Sequence, residues 1–323
     1  MIALWDTTAT EVVAALSSER QSAGGTSGLA LNLVVIVDEK GERDAETALT
    51  LAAQQHPCRL LIVVRRDGHL TKPRLDAEII VGGRLGPCEA VVMRAYGPLA
   101  RHAESVVMPL LAPDVPVVTC WFMQPPVHAA EDPLGAFADR RISYSARADD
   151  PIRALAARAA DYSPGDTDLC WTRITYWRSL IASAFDTASA PAASVRIQAD
   201  ADDPSAALLA GWLGGRLGVR PVIENTAVVR NSEHLPAIKG VSITLANGDD
   251  IAITRDEAGH TQLRRTGFAD RSQILNGRTL GELLAEELRH LDPDQPYEAA
   301  LTYCTNDANL CPQVVSPTPG ETS

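Results

Sequence analysis

Apolar residues recur along this chain with two alternating periods, and the alternation sets the expected order of elements. Residues 7–22 carry Val12, Val13 and Leu16 at helical spacing behind Thr7 and Thr8 as caps, and Gly24 and Gly25 close the helix. Residues 29–37 form an apolar run too short for a core helix and rich in branched side chains, which predicts a buried strand. Ala45, Ala48, Leu49 and Ala52 mark one helical face within 43–55, Pro57 follows, and 58–64 predicts a second buried strand. Strand, helix, strand is the unit that builds a parallel sheet. Two further runs, 75–81 and 88–95, are joined by Gly82-Gly83-Arg84-Leu85-Gly86-Pro87, too short for a crossover helix. They are expected to be antiparallel neighbours, which makes the sheet mixed.

After Gly97-Pro98 the pattern predicts a helix to about residue 111, a strand at 115–121, a short strand at 141–145 and a helix at 151–160. The polar segment 161–168 holds Pro164-Gly165 and is the expected boundary. Beyond it come a strand at 194–199, a helix at 204–217 stopped by Gly218, and a strand at 222–230. Runs at 241–245 and 251–254 flank Asn247-Gly248, the clearest hairpin signal in the chain. A strand at 263–266, an amphipathic helix at 279–291 and a short helix at 296–302 complete the pattern. The expected fold class is therefore two α/β domains. Residues 1–163 form an N-terminal α/β domain with a mixed sheet, 164–305 a smaller C-terminal α+β domain, and 306–323 a polar, Pro-rich tail expected to be disordered.

The stretch from Asp168 to Asp186 holds two of the five tryptophans. On one continuous helix Ile174, Trp177, Ile181 and Phe185 make a core-facing stripe, and burying Trp177 alone contributes roughly 1.5–3 kcal/mol. Trp171, Thr175, Arg178 and Ala182 make a second stripe, with Arg173 one turn before Trp177. An exposed face mixing Trp and Arg has the composition of an interface hot spot, so Trp171, Arg173 and Arg178 are the candidate partner-binding residues.

Charge narrows the partners. With 41 acidic against 29 basic residues the formal net charge is -12, which opposes sequence-independent binding to a phosphate backbone or an anionic membrane. Residues 1–11 lack the basic start and apolar run of a signal peptide, and no window approaches the ~20 apolar residues that span a bilayer, so a cytoplasmic location is expected. The 323 residues, 46% hydrophobic, are enough for sizeable cores. Six cysteines without a Cys-x-x-Cys pair read as reduced thiols.

Candidate chemistry is sparse. Gly24-Gly25-Thr26-Ser27-Gly28 has a phosphate-loop composition but lies between a helix and a strand, the reverse of the order such a loop needs. Gly82-Gly83 and Gly86 fall between two strands and read as a hairpin loop. Gly211, Gly214 and Gly215 within a helical pattern read as close-packing positions. His-Glu-x-x-His and Gly-x-Ser-x-Gly are both absent from the sequence. His56-Pro57-Cys58-Arg59 reads as a turn entering a buried strand with Cys58 inward. Cys304 and Cys311, at the edge of the tail with six residues between them, are the candidate redox pair, weighed against the reduced state usual for cytosolic thiols. No catalytic, metal-ligating or cofactor-binding residue is assigned, and no cofactor is expected.

His56-Pro-Cys-Arg59, the run from Gly97 to Leu111, Pro113-Asp-Val-Pro-Val-Val118 and above all Asp168-Leu-Cys-Trp-Thr-Arg-Ile-Thr-Tyr-Trp-Arg178 resemble the OpcA family, the glucose-6-phosphate dehydrogenase assembly proteins of actinobacteria and cyanobacteria. The likeness runs over nearly the whole chain to about residue 303. It implies a non-catalytic protein that binds glucose-6-phosphate dehydrogenase, promotes its active oligomer and raises its activity, feeding the oxidative pentose phosphate pathway. In some branches of that family activation is linked to cysteine oxidation, a role that Cys304 and Cys311 could serve here. Two other readings compete with it: an enzyme or sensor holding a phosphorylated metabolite in a cleft between domains through Arg173 or Arg178, and a purely structural component of a larger assembly.

Overall fold

The computed structural model describes residues 1–22, 28–66, 72–82, 88–226, 238–256, 258–275, 277–305 and 313–315. In chain order the elements are β1 (Ile2–Leu4), α1 (Ala9–Ser22), β2 (Leu31–Asp38), α2 (Glu42–Gln55), β3 (Cys58–Arg66), β4 (Arg74–Val81), β5 (Glu89–Tyr96), α3 (Glu104–Val107), β6 (Val117–Trp121), β7 (Arg140–Ser143), α4 (Pro151–Ala160) and β8 (Asp166–Asp168). There follow α5 (Leu169–Arg173), α6 (Thr175–Phe185), β9 (Ala192–Ala199), α7 (Pro204–Leu217), β10 (Val222–Asn225), β11 (Gly240–Leu245), β12 (Asp250–Arg255), β13 (His260–Arg265), β14 (Arg271–Ile274), α8 (Leu280–Glu287), α9 (Gln295–Thr305) and β15 (Gln313–Val315). They gather into two compact units. One takes Met1–Arg147, Ser163–Leu169 and Thr279–Pro293, and the other Ala148–Tyr162, Cys170–Arg278 and Asp294–Ser323. Each unit draws segments from both sides of residue 163.

The first unit is built on a mixed sheet of order β1-β4-β5-β3-β2-β6-β7-β8. Strands β5, β3, β2, β6, β7 and β8 are parallel, and β4 inserts antiparallel between β5 and β1. From β2 the chain moves outward through β3 to β5, then continues on the opposite side of β2 with β6, β7 and β8. This is the doubly wound order of dinucleotide-binding sheets, with its reversal between β2 and β6. Near-continuous apolar runs in β2 and β3 follow from helices covering both faces. On one face Val34, Ile36, Leu61, Val63, Val91 and Met93 pack with Val12 and Leu16 of α1 and with Val106, Val107 and Leu110. On α2 the expected stripe, Ala45, Ala48, Leu49 and Ala52, is buried. α8 packs against α2, close enough that a Cβ at Gly281 would sit 2.7 Å from the Ala48 carbonyl oxygen.

The helix expected across 98–111 is not continuous. It breaks into a 3-10 turn at Gly97–Arg101, the single turn of α3 and a second 3-10 turn at Met108–Leu110. The chain leaves helical geometry at His102, with φ −123° and ψ 36°, and Pro109 lacks the amide donor that a longer helix requires. Strand β1 escaped the sequence pattern because three residues are too few to show a period. Within the polar segment expected to be a boundary, β8 adds an edge strand to this sheet through Arg141↔Asp166 and its neighbours.

The second unit has a sheet of order β14-β13-β12-β11-β9-β10-β15, in which β9, β10 and β15 are parallel and the other neighbours antiparallel. The β11–β12 hairpin turns at Gly248 with φ 89°, as Asn247-Gly248 requires. α7 connects β9 to β10; Asp203 caps its start by accepting the Ser205 amide, and Gly218 ends it with φ 67°. Gly211 and Gly214 let α9 approach α7, because a Cβ at either position would overlap the Ala300 carbonyl or the Tyr303 ring. Strand β10 stops at Asn225, short of the expected 230, and residues 227–230 lie outside the described residues. β14 was not expected, and β15 falls within the stretch expected as tail.

Candidate functional site

The Asp168 to Asp186 stretch is two helices rather than one. The break falls at Ile174, whose φ of −90° and ψ of 7° end the α5 turn before α6 begins. In α6 the core stripe holds, with Trp177 and Ile181 buried and Ile174 buried ahead of them, while Phe185 is half-buried. The expected exposed Trp/Arg face does not form, because the break rotates Trp171 away from the wheel extrapolated back from α6. Trp171 is 1% exposed. Its Nε1 donates to Asp294 Oδ2 at 2.7 Å, the Tyr297 ring lies 6.0 Å away at 56°, and the Arg178 guanidinium stacks 3.6 Å from its centroid. Asp294 Oδ1 meanwhile accepts the Tyr297 amide at 2.9 Å, so one carboxylate both holds Trp171 and caps α9.

The two arginines also have internal partners. Arg178 donates to Thr175 Oγ1 at 3.3 Å in addition to its place over Trp171. Arg173 Nη1 lies 3.9 Å from Oδ1 of the buried Asp203. Burial pushes the Asp203 carboxyl above its ordinary range, and Arg173 together with the Ser205 amide opposes that rise. Burial and the neighbouring Arg173 push Arg255 downward. Among the sequence-chosen residues, the structure therefore brings Trp171 and Arg178 into one cluster and sets Arg173 against the α7 cap. Sequence reasoning missed the outward side: Tyr176 is 46% exposed, and Arg278 lies 4.7 Å over its ring while donating to the Thr172 carbonyl. Tyr176 was legible, since it lies off the Ile174/Trp177/Ile181 stripe. Arg278, far along the chain, was not.

The conspicuous motif at 56–59 is architectural. His56 Nε2 is 2.7 Å from the Ala285 carbonyl on α8, and Arg59 reaches Glu89 at 2.7 Å and the Leu110 carbonyl at 2.9 Å. Cys58 is buried, as expected. Cys304 donates to the Ala207 carbonyl at 2.9 Å on the neighbouring α7; Cys311 lies outside the described residues, as do Gly24, Gly25, Gly83 and Gly86. No group of three potential metal ligands occurs among the described residues, and none of their helices is long and apolar enough to cross a membrane.

A doubly wound sheet raises the question of a dinucleotide, whose pyrophosphate would rest on the turn between β2 and α2. The residues there do not fit it. The turn is Asp38-Glu39-Lys40-Gly41, with a single glycine, and Glu42 and Asp44 follow in the first turn of α2. Four carboxylates thus surround the helix end where an anion would sit, and Asp38 Oδ1 already accepts the Gly41 amide at 2.7 Å. Beside it opens a cavity of about 600 Å³ lined by Glu39, Lys40, Glu42, Arg43, Glu46, Arg66 and Arg94. Two of its arginines are paired: Arg94 lies 2.7 Å from both Glu42 and Glu78, and Arg66 3.4 Å from Glu39.

Residues 49–160 match a family model described as the N-terminal domain of the glucose-6-phosphate dehydrogenase subunit, and residues 164–301 match one described as its C-terminal domain. No curated protein matches the chain. Among solved structures, the 3-ketoreductase KijD10 from Actinomadura kijaniata is similar with a TM-score of 0.43 and 12% identity, over 90% of this chain and all (100%) of that one. An NAD-binding oxidoreductase from Klebsiella pneumoniae gives 0.41 and 10%, over 85% and 94% of the two chains. A probable dehydrogenase from Thermotoga maritima gives 0.37 and 10%, over 85% and 96%.

Proposed function

The chain belongs to the OpcA family of glucose-6-phosphate dehydrogenase subunits, and from that we infer that it acts as a non-catalytic assembly factor that binds the dehydrogenase, favours its active oligomer and raises its activity. The observation that carries this reading is the succession of the two family domains over most of the chain. The acidic β2–α2 turn supports it, since it leaves the sheet without the backbone cradle that a dinucleotide enzyme would use. Such an activator must bind the active state of the enzyme more tightly than the inactive one, because equal affinity shifts no equilibrium.

We place the docking surface on the outer side of α6, around Tyr176 and Arg278 with Arg178 beside them, and with Trp171 as the buried footing beneath. Tyr and Arg are the residue types that concentrate binding energy at interfaces. Mixing the protein with the dehydrogenase from the same cell, then recording the enzyme's saturation curve and the mass of the complex in solution, tests the reading. A shift in both is expected; an unchanged rate and an unchanged mass refute it. Tyr176→Ala with Arg278→Ala should weaken binding about tenfold or more while the fold survives, as loss of a hot-spot pair does. Unweakened binding in that variant moves the docking surface elsewhere without touching the function.

A further inference from the structure

We propose that Cys58, the first residue of β3, and Cys88, immediately before β5, are a redox-active dithiol that closes to a disulfide within the first unit. The two sulfurs lie 3.8 Å apart, and the Cys58 amide donates to Cys88 Sγ at 3.3 Å. The pairing is built into the sheet. Strands β3 and β5 are parallel neighbours with Arg59 opposite Glu89, so the residues one step earlier, Cys58 and Cys88, face each other. Neighbouring strands lie about 4.8 Å apart, inside the span of roughly 4.4–6.8 Å between α-carbons that a disulfide bridges. Side-chain rotation at the two cysteines is then the main movement needed, and the sheet itself need not shift.

The two thiols are not equivalent. Hydrogen bonding from Cys58 holds the Cys88 thiol below its ordinary value, whereas the Cys58 thiol is raised by that same interaction and by burial. The Cys58 amide that donates to Cys88 Sγ favours a thiolate there, so Cys88 is the attacking sulfur. With hydrogen peroxide as oxidant, the Cys88 thiolate attacks one peroxide oxygen, the O–O bond breaks, and hydroxide leaves to take up a proton. Cys58 Sγ then attacks the sulfenyl sulfur of Cys88, forming the S–S bond as the S–OH bond breaks and the Cys58 proton leaves with the hydroxyl as water. Two thiols and one peroxide become one disulfide and two waters, the sulfurs giving up two electrons. In the reduced state Cys88 donates to the Ala53 carbonyl at 3.1 Å, a bond that the oxidised state gives up.

Cys304, the half-buried thiol of the sequence-chosen pair, lies in the second unit, so the two sites are separable by mutation. The full chain would be exposed to hydrogen peroxide, denatured, alkylated and digested. A peptide linked through Cys58 and Cys88 is expected, with an intact mass lower by two hydrogen atoms. Dithiothreitol should abolish the link, Cys58→Ser should prevent it, and Cys304→Ser should leave it in place. The oxidised protein should melt several degrees higher than the reduced one, because the bond ties together residues 30 positions apart in the unfolded chain. Full alkylation of both cysteines after prolonged peroxide treatment overturns the proposal, as does Cys88 oxidised to sulfinic acid with no link to Cys58.

Discussion

Replacing Trp171 tests whether this side chain holds the second unit together from within. Trp171→Ala removes a large ring that is 1% exposed, leaving a cavity bounded by the Tyr297 ring and the Arg178 guanidinium. Truncations of this kind cost about 3–5 kcal/mol. Against a total stability of about 5–15 kcal/mol for a domain, that is a large fraction, so the gentler probe is Trp171→Phe. Phenylalanine keeps an aromatic face for Arg178 and deletes the Nε1 donor to Asp294, a hydrogen bond to a charged group worth about 1.5–3 kcal/mol. Asp294→Asn keeps an oxygen for the Tyr297 amide and so spares the α9 cap while removing the charge. The two substitutions should be less than additive, with a coupling energy of about 1–2 kcal/mol. Urea unfolding of the free protein followed by far-UV circular dichroism gives the energies, with the transition of the second unit fitted separately where unfolding is biphasic. A loss within about 0.5 kcal/mol for Trp171→Ala, the range of exposed positions, would refute the internal role and return Trp171 to the surface.

Other consequences follow from the same geometry. Gly214→Ala should destabilise the second unit by about 1–3 kcal/mol through overlap with the Tyr303 ring, although alanine in an open helix would gain about 1 kcal/mol over glycine; Tyr303→Ala added to it should restore part of the loss. A rise in melting temperature for Gly214→Ala alone would show that α7 and α9 are not so close. Burial alone would raise the Asp76 carboxyl, but the paired hydrogen bonds from Arg74 and the Asp6 amide outweigh it and hold its pKa below the ordinary carboxylate value. Its contribution is therefore present above the unfolded-state pKa and lost as pH falls through the depressed folded-state value. Asp76→Asn should flatten the acid side of the stability–pH curve in melting scans and change its neutral slope little. An acid limb of unchanged steepness would assign that dependence to other carboxylates.

Local chemistry made much of the fold legible. The buried runs of β2 and β3 announced a parallel pair covered on both faces, Asn247-Gly248 fixed a hairpin, and Asp203 with Gly218 marked the ends of α7. Each of these depends on residues within a few positions of one another. Pro109 carried its warning too, since it lacks the amide that would continue the helix that the apolar spacing alone suggests. In the candidate site, the stripe of Ile174, Trp177 and Ile181 was readable for the same reason, as was the outward position of Tyr176.

By itself, the sequence determined which faces are apolar, where turns can form and which loops lack the residues of a nucleotide site. It could not say which surface each face would meet. Trp171 is buried because Asp294, 123 positions later, supplies the acceptor for its indole, and because the chain turns at Ile174. α8 lies against α2 in the first unit although it follows strands β9 to β14 of the second. Cys58 finds Cys88 through the register of two strands rather than through any spacing motif. Periodicity records that a side chain leaves water, which is a property of the local helix or strand; what it then touches is settled by contacts between segments far apart in the chain.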